Sequence, residues 1–415
     1  MTVPAFLHPF ARPTSERFIE IVRGQGALVW DAAGSEYVDA LASLWYCVVG
    51  HGRAEIADAV GEQLRTLDAF HTFELFTNPA AERVAEELVA LAPVPDARVF
   101  LTNSGSEAVD TAMKLSRLFW TWQGEPQRNL IVSRDRAYHG VTYGGTSAQG
   151  LAANKEHWGE LLGGVVQVHA DSLEEVEYQL SVHGERIAAV IAEPLQGAGG
   201  VFPPVEGYLQ GLRDLCDRTG ALLVFDEVIT GFGRLGTWWG AERYGVTPDL
   251  ITFAKGVTSG YQPLGGVLVG PRVREVLEAD GDRWFRHGFT YSGHPAACAA
   301  ATANLEVIRS DALLSRAPAI GAQLAPALQS IVDEGLAAAV RGTDGIWALA
   351  LHPEDSALVV RDEMLRLGVI PRPIATHSLA FCPPLVISDE QLDRIADTTR
   401  EALRRVRSRK PIPST

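Results

Sequence analysis

The sequence predicts an α/β protein, with a large, mostly parallel sandwich domain and a smaller α+β domain. Three observations carry that expectation. From about residue 95 to residue 300, short apolar runs alternate with segments of helical period, the pattern of a parallel sheet covered by helices on both faces. Beyond residue 300 the alternation gives way to a long Ala/Leu-rich helical stretch and two more helices. The 415 residues also exceed the usual size of one domain. The expected division is an N-terminal segment, 1–50, joining the small domain, a large domain, 51–300, and a C-terminal small domain, 301–415.

The elements follow in order. Residues 80–91 place Val84, Leu88 and Leu91 on one helical stripe. Strands are expected at Val99–Leu101, Leu130–Val132, Ala188–Ala192, Ala221–Phe225, Leu250–Phe253 and Gly266–Val269, all short and apolar on both faces. A helix from about Ala108 ends after Trp122, because Gly124 and Pro126 cannot continue it. The C-terminal region is expected to be helical over about 296–337, extended at Ile346–Leu351, and helical again at 356–367 and 388–407.

Composition narrows the function classes. Lys and Arg number 36 against 51 Asp and Glu, a net charge of −15. Such a chain lacks the basic face that nucleic-acid phosphates require, so no nucleic-acid partner is expected. The basic residues Arg404, Arg405, Arg407, Arg409 and Lys410 read as cations at the end of the last helix. Four cysteines, Cys47, Cys216, Cys298 and Cys382, stand far apart and form no metal-binding pair. They are expected to be buried free thiols of a cytoplasmic protein. The N-terminal stretch has neither a basic start nor an apolar core, and no apolar run is long enough to span a bilayer. Neither a signal peptide nor a membrane anchor is expected.

The chemistry gathers at strand ends. Strand Ala221–Phe225 runs into Asp226-Glu227, and strand Leu250–Phe253 into Ala254-Lys255-Gly256. One crossover separates them, so Asp226 and Lys255 can share the crevice where α/β folds bind ligands. A poorly solvated Lys readily loses its proton and can form a Schiff base. A carboxylate facing a pyridine nitrogen would keep that ring protonated and electron-withdrawing. Taken singly, either residue fits a helix cap or a snorkelling lysine. A third element is Thr102-Asn103-Ser104-Gly105-Ser106-Glu107, small polar residues opening a helix, where free N–H groups favour an anion.

Together VFDEVITGFGRLG (224–236), ITFAKG (251–256), TNSGSEAVDTAMK (102–114), Tyr138-His139-Gly140 and HGFTYSGHP (287–295) resemble the class III aminotransferases. The resemblance runs from about Gly26 to Val406. It implies the aspartate-aminotransferase-like fold, PLP fold type I, with pyridoxal 5′-phosphate as cofactor and no metal. By that resemblance Lys255 is the Schiff-base lysine and proton carrier, and Asp226 the partner of the ring nitrogen. Val228 and Tyr138 would cover the two ring faces. Ser104, Gly105 and Ser106 would form the phosphate segment, with N–H groups from Gly105 and Ser106 and the Ser106 hydroxyl. His139 and Glu227 would support the cofactor wall. Thr290 would reach the phosphate in the neighbouring subunit, making the active sites shared within a homodimer.

Members that use 2-oxoglutarate usually carry Gln three residues after the catalytic Asp, where this chain has Ile229. Several also carry a Glu that gates an arginine, where this chain has Ala198. Both positions resemble the ω-amino acid:pyruvate, or amine:pyruvate, transaminases. So do Trp45 in LWYCVVGHG, an aromatic wall, and Arg372 in GVIPRP, a mobile arginine for a carboxylate. Standing alone, Trp45 would read as core and Arg372 as a surface ion pair. The expected activity is a ping-pong transfer of an amino group from an amine or ω-amino acid to a short oxo acid such as pyruvate. A diaminopelargonate-synthase-like or other biosynthetic class III enzyme, or a 2-oxoglutarate-dependent member, is the alternative.

Overall fold

The computed structural model of the chain describes residues 4–409. Strands β1 (Ile21–Gln25), β2 (Leu28–Asp31) and β3 (Glu36–Asp39) form an antiparallel meander. The central sheet then takes β4 (Arg98–Thr102), β5 (Leu130–Arg134), β6 (Val165–Val168), β7 (Ile187–Ala192), β8 (Leu222–Asp226), β9 (Leu250–Phe253) and β10 (Gly265–Val269). Their order is β4-β10-β9-β8-β7-β5-β6, and only β10 runs against the rest.

Alternation within the strands explains the double apolar surface. In β8, Leu222 and Val224 pack with Ala108, Ala112 and Leu115 of helix Gly105–Trp122. Leu223 and Phe225 point to the opposite face, with Leu209 and Leu212 of helix Tyr208–Thr219. Six of the seven strands stand where the sequence places them. The seventh, β6, was not expected, because VVQV is an edge strand that buries little and has no long apolar run.

The C-terminal part contributes β11 (Ala339–Thr343), β12 (Ile346–Ala350), β13 (Val369–Ile370), β14 (Arg372–Ile374) and β15 (Ser378–Phe381). Four of these form an antiparallel sheet, β11-β12-β15-β14, while β13 pairs in parallel with β3. Helix Pro295–Ser310 runs across residue 300 without a break. No helix among the described residues is long and apolar enough to cross a membrane. All four cysteines are buried and free, and burial pushes each thiol's pKa up.

The terminal helix, Asp389–Ser408, begins in a capping box of Ser388 and Gln391. Its arginines do more than complement a helix end. Arg407 pairs with buried Asp355 at 2.9 Å, and Glu363 meets Arg366, Arg405 and Arg409 at 2.7, 3.4 and 2.8 Å. Lys410 lies outside the described residues. The Arg409 hydrogen bond, with those of its neighbours, holds the Glu363 carboxyl below the usual glutamate range. A depressed folded-state pKa contributes stability above the unfolded value and loses it as pH falls through the folded one. Glu363→Gln is therefore expected to lower stability at neutral pH by about 1 kcal/mol, since the arginines are half-exposed and screened. Thermal melting across pH checks this: the gap to wild type should close in acid.

Candidate active site

The carboxyl ends of β7, β8 and β9 open side by side, and each delivers one ionisable side chain. Glu193 follows β7, Asp226 ends β8, and Lys255 lies two residues beyond β9. Asp226 is buried. Its Oδ1 accepts from Thr252 Oγ1 at 3.1 Å and from Val228 N at 3.2 Å, and its Oδ2 lies 2.7 Å from His139 Nδ1. An ionised carboxylate only accepts, so Nδ1 carries the proton. His139 Nε2 is buried with no partner.

Lys255 opens a short helical turn with a left-handed φ of +48°. A residue with a Cβ adopts that conformation only under constraint. The constraint is Asn304, whose Nδ2 donates to Gly256 O at 2.9 Å and Val257 O at 3.0 Å. Burial lowers the Lys255 pKa, opposed by the charges of Asp226 and Glu193. Burial thus favours the neutral amine over the ammonium.

Helix Gly105–Trp122 starts three residues earlier than expected, because Ser104 caps it: Glu107 N donates to Ser104 Oγ at 3.2 Å. The Ser104 hydroxyl is therefore occupied by its own helix and does not face the cavity. Gly105 and Ser106 do, in a cavity of about 120 Å³ with Tyr138, His139, Asp226, Val228 and Lys255. A Cβ on Gly105 would come within 2.9 Å of Val228 Cγ1. A second cavity of about 260 Å³ shares Tyr138, Ile229 and Lys255 and adds Trp45, Ala198 and Arg372. Arg372 makes no ion pair with any carboxylate among the described residues, and burial lowers its pKa.

The expected placement of Glu227 is corrected. Glu227 turns away from the cavity: Oε1 accepts from Ala241 N at 2.8 Å, and Oε2 from Thr230 Oγ1 and Gly240 N. Complete burial pushes its carboxyl up to about 7, and it braces the 230–241 loop instead of touching a cofactor. Thr290 is exposed and lines neither cavity of its own chain. Arg234, an obvious second cation, is buried and donates to Gly345 O and Pro383 O. The residue missed is Glu193, buried, accepting from Tyr138 N at 3.1 Å and Gly197 N at 3.0 Å. Its place after a parallel strand, like that of Asp226, was the available signal.

The family model for class III aminotransferases matches residues 10–403. This chain is a class III aminotransferase. It is 35% identical to the putrescine–pyruvate aminotransferase of Pseudomonas aeruginosa, over 92% of this chain and 90% of that protein. It is 36% identical to the same organism's beta-alanine–pyruvate aminotransferase, over 92% and 91%. The diaminobutyrate–2-oxoglutarate transaminase of Halomonas elongata is 34% identical, over 93% and 90%. The crystal structure of a transaminase from the marine bacterium Virgibacillus matches with a TM-score of 0.94 at 35% identity, covering 97% of each chain.

Class III aminotransferases depend on pyridoxal phosphate, and the cavity of this one fits it. The unpartnered His139 Nε2, the side-chain-free surface of Gly105 and the buried Asp226 carboxylate suit a phosphorylated, protonated ring. In this aminotransferase Gly140 has a φ of +98°, and an added Cβ would sit 2.6 Å from Ser106 Oγ. Gly140→Ala should displace the Ser106 hydroxyl and strain the backbone, costing about 1–3 kcal/mol. Melting temperature and cofactor absorbance on gel filtration measure the two effects. Full cofactor retention would remove Ser106 from the phosphate site.

Proposed function

We propose that this aminotransferase takes an amino group from an amine or ω-amino acid and passes it to a short oxo acid such as pyruvate. The observation that carries this reading is Arg372, half-buried beside Lys255 and Trp45, with no carboxylate to neutralise it. A monocarboxylate needs one such cation, which can pair with it bidentately. The two carboxylates of 2-oxoglutarate ask for a second. Apart from Lys255, the described lining of this cavity has only Arg372. Ala198, on the same wall, leaves the arginine ungated.

Pyridoxal 5′-phosphate, when bound, supplies an electron sink for charge developing at the amine-bearing carbon. The chain supplies the rest. Asp226, oriented by His139 and Thr252, would hold a proton on the ring nitrogen. Val228 and Tyr138 would sandwich the ring, and Gly105 and Ser106 would hold its phosphate. Lys255 Nζ would take the proton from the substrate carbon as general base and give it up as general acid to the carbon on the far side of the transferred nitrogen. Trp45 would exclude water from the apolar side of the substrate.

The active form in this reading is a cytoplasmic homodimer. Phe73, Trp284, Phe285 and Tyr291 are exposed around the loop of Thr290, an apolar surface that a second copy would cover. That copy would bring Thr290 toward the neighbouring phosphate. The division at 1–50, 51–300 and 301–415 belongs to the same proposal, supported by the pairing of β3 with β13.

Two variants test the chemistry. Lys255→Ala should retain cofactor through the phosphate and Asp226 contacts, yet lose activity by at least the roughly 10²–10⁴-fold of acid–base catalysis. Bleaching of the yellow enzyme by an amine donor, followed by stopped flow, reads it directly. Near-normal bleaching would point to another lysine. Arg372→Ala should raise KM for pyruvate about 30-fold or more, from loss of one side of a charge pair. Reaction with a neutral amine should be spared, and equal damage to both half-reactions would show a structural role.

A further inference from the structure

The wall carrying Trp45 is built from backbone that should not hold itself in place. Ala42, Ser43 and Trp45 have φ values of +50°, +59° and +69°, a left-handed region that residues with a Cβ avoid. Trp45 is nevertheless 4% exposed and faces the cavity shared with Tyr138, Lys255 and Arg372. Behind the same turn lies a further cavity of about 460 Å³, lined by Asp39, Ser43, Leu44 and His51. Ser43 and Leu44 of the strained turn thus border open space into which it could relax.

Besides the turn's own backbone bonds, from Trp45 N to Leu41 O and from Tyr46 N to Ala42 O, a carboxylate braces it. Asp39, 2% exposed at the end of β3, accepts from Leu41 N at 3.1 Å and from Ser43 N at 2.6 Å. Its Oδ2 also lies 2.9 Å from His51 Nε2. His51 is itself fixed, since its backbone exchanges hydrogen bonds with Gly26 at 2.8 and 2.9 Å. On the other side of the turn, Val48 N and Val49 N donate to Ser259 Oγ at 3.2 Å each, four residues from Lys255. The turn is thus stretched between the Asp39–His51 pair and the segment that carries the lysine.

We infer that Asp39 and His51 are positioning residues that set the place of Trp45 and thereby the preference for amines with an aromatic or bulky side group. Neither touches the cavity that holds Lys255 and Arg372; both act through the turn. The inference rests on the reading that this cavity receives the amine substrate.

The test uses the cofactor-loaded enzyme and two donors, 1-phenylethylamine and alanine, each with a short oxo acid other than pyruvate, such as 2-oxobutyrate, as acceptor. Asp39→Asn and His51→Ala should raise KM for 1-phenylethylamine roughly ten-fold, while kcat and the KM for alanine move less than about two-fold. His51→Gln keeps an N–H donor for Asp39 and should restore the aromatic KM. Adding Asp39→Asn to Trp45→Ala should produce no further change in the aromatic KM. Melting temperature and cofactor absorbance follow the fold in parallel. An unchanged ratio of the two KM values in Asp39→Asn and His51→Ala overturns the inference, as does an effect fully additive with Trp45→Ala. Loss of both donors in step with the melting temperature also overturns it. If Trp45→Ala alone leaves the aromatic KM unchanged, the reading of the cavity as the amine site fails, and the inference with it.

Discussion

The site depends on a carboxylate that is taken out of water and kept in register. Asp226 ends a strand buried on both faces, and its oxygens are held by Thr252, Val228 N and His139. Removing a charge from solvent is costly unless hydrogen bonds replace the lost hydration. Here Thr252 comes from the neighbouring strand, at the position paired with Asp226 itself. The sheet register that places Lys255 near Asp226 is therefore the register that supplies one of its donors. A one-residue slip would turn both side chains to the opposite face.

Around that carboxylate the chain accepts local disfavour to gain geometry. Lys255 and Trp45 both adopt left-handed backbone conformations. The turn after Lys255 is held by a side chain from a distant segment, Asn304, and the turn before Trp45 by the nearby Asp39. Strained residues persist only where their surroundings over-determine them. The Glu227 carboxylate does the same for the loop that follows Asp226, collecting two backbone N–H groups and a hydroxyl. Adjacent acids in one motif thus divide into a group that serves the cavity and a group that serves the loop.

The two cavities differ in kind. The first is narrow and holds the ionisable groups, closed by the helix start at Gly105 and by His139 and Asp226. The second is larger and mostly apolar, with half-buried Arg372 on its wall. Lys255 and Tyr138 belong to both. In the proposed function, that arrangement would let one lysine exchange protons with a substrate whose side group lies in the larger space, while the chemistry stays in the narrow one.

Sequence alone determined the alternation of strands and helices, because burial on both faces demands continuous apolar runs and helices leave a 3.6-residue period. It also determined which strand ends bear Asp226 and Lys255, and the motifs around them marked the family. Edge strand β6 and the short strands of the outer sheets left little trace, since exposed or two-residue strands need no apolar pattern. The direction of a side chain was likewise illegible: nothing local separates Glu227 from Asp226, or the hydroxyl of Ser104 from that of Ser106. Glu193 and Asn304 matter through partners far along the chain, and Asp39 through a neighbouring backbone that local propensity disfavours. Only the tertiary structure decided these, because each depends on which buried donor or acceptor the packed fold brings within about 3 Å.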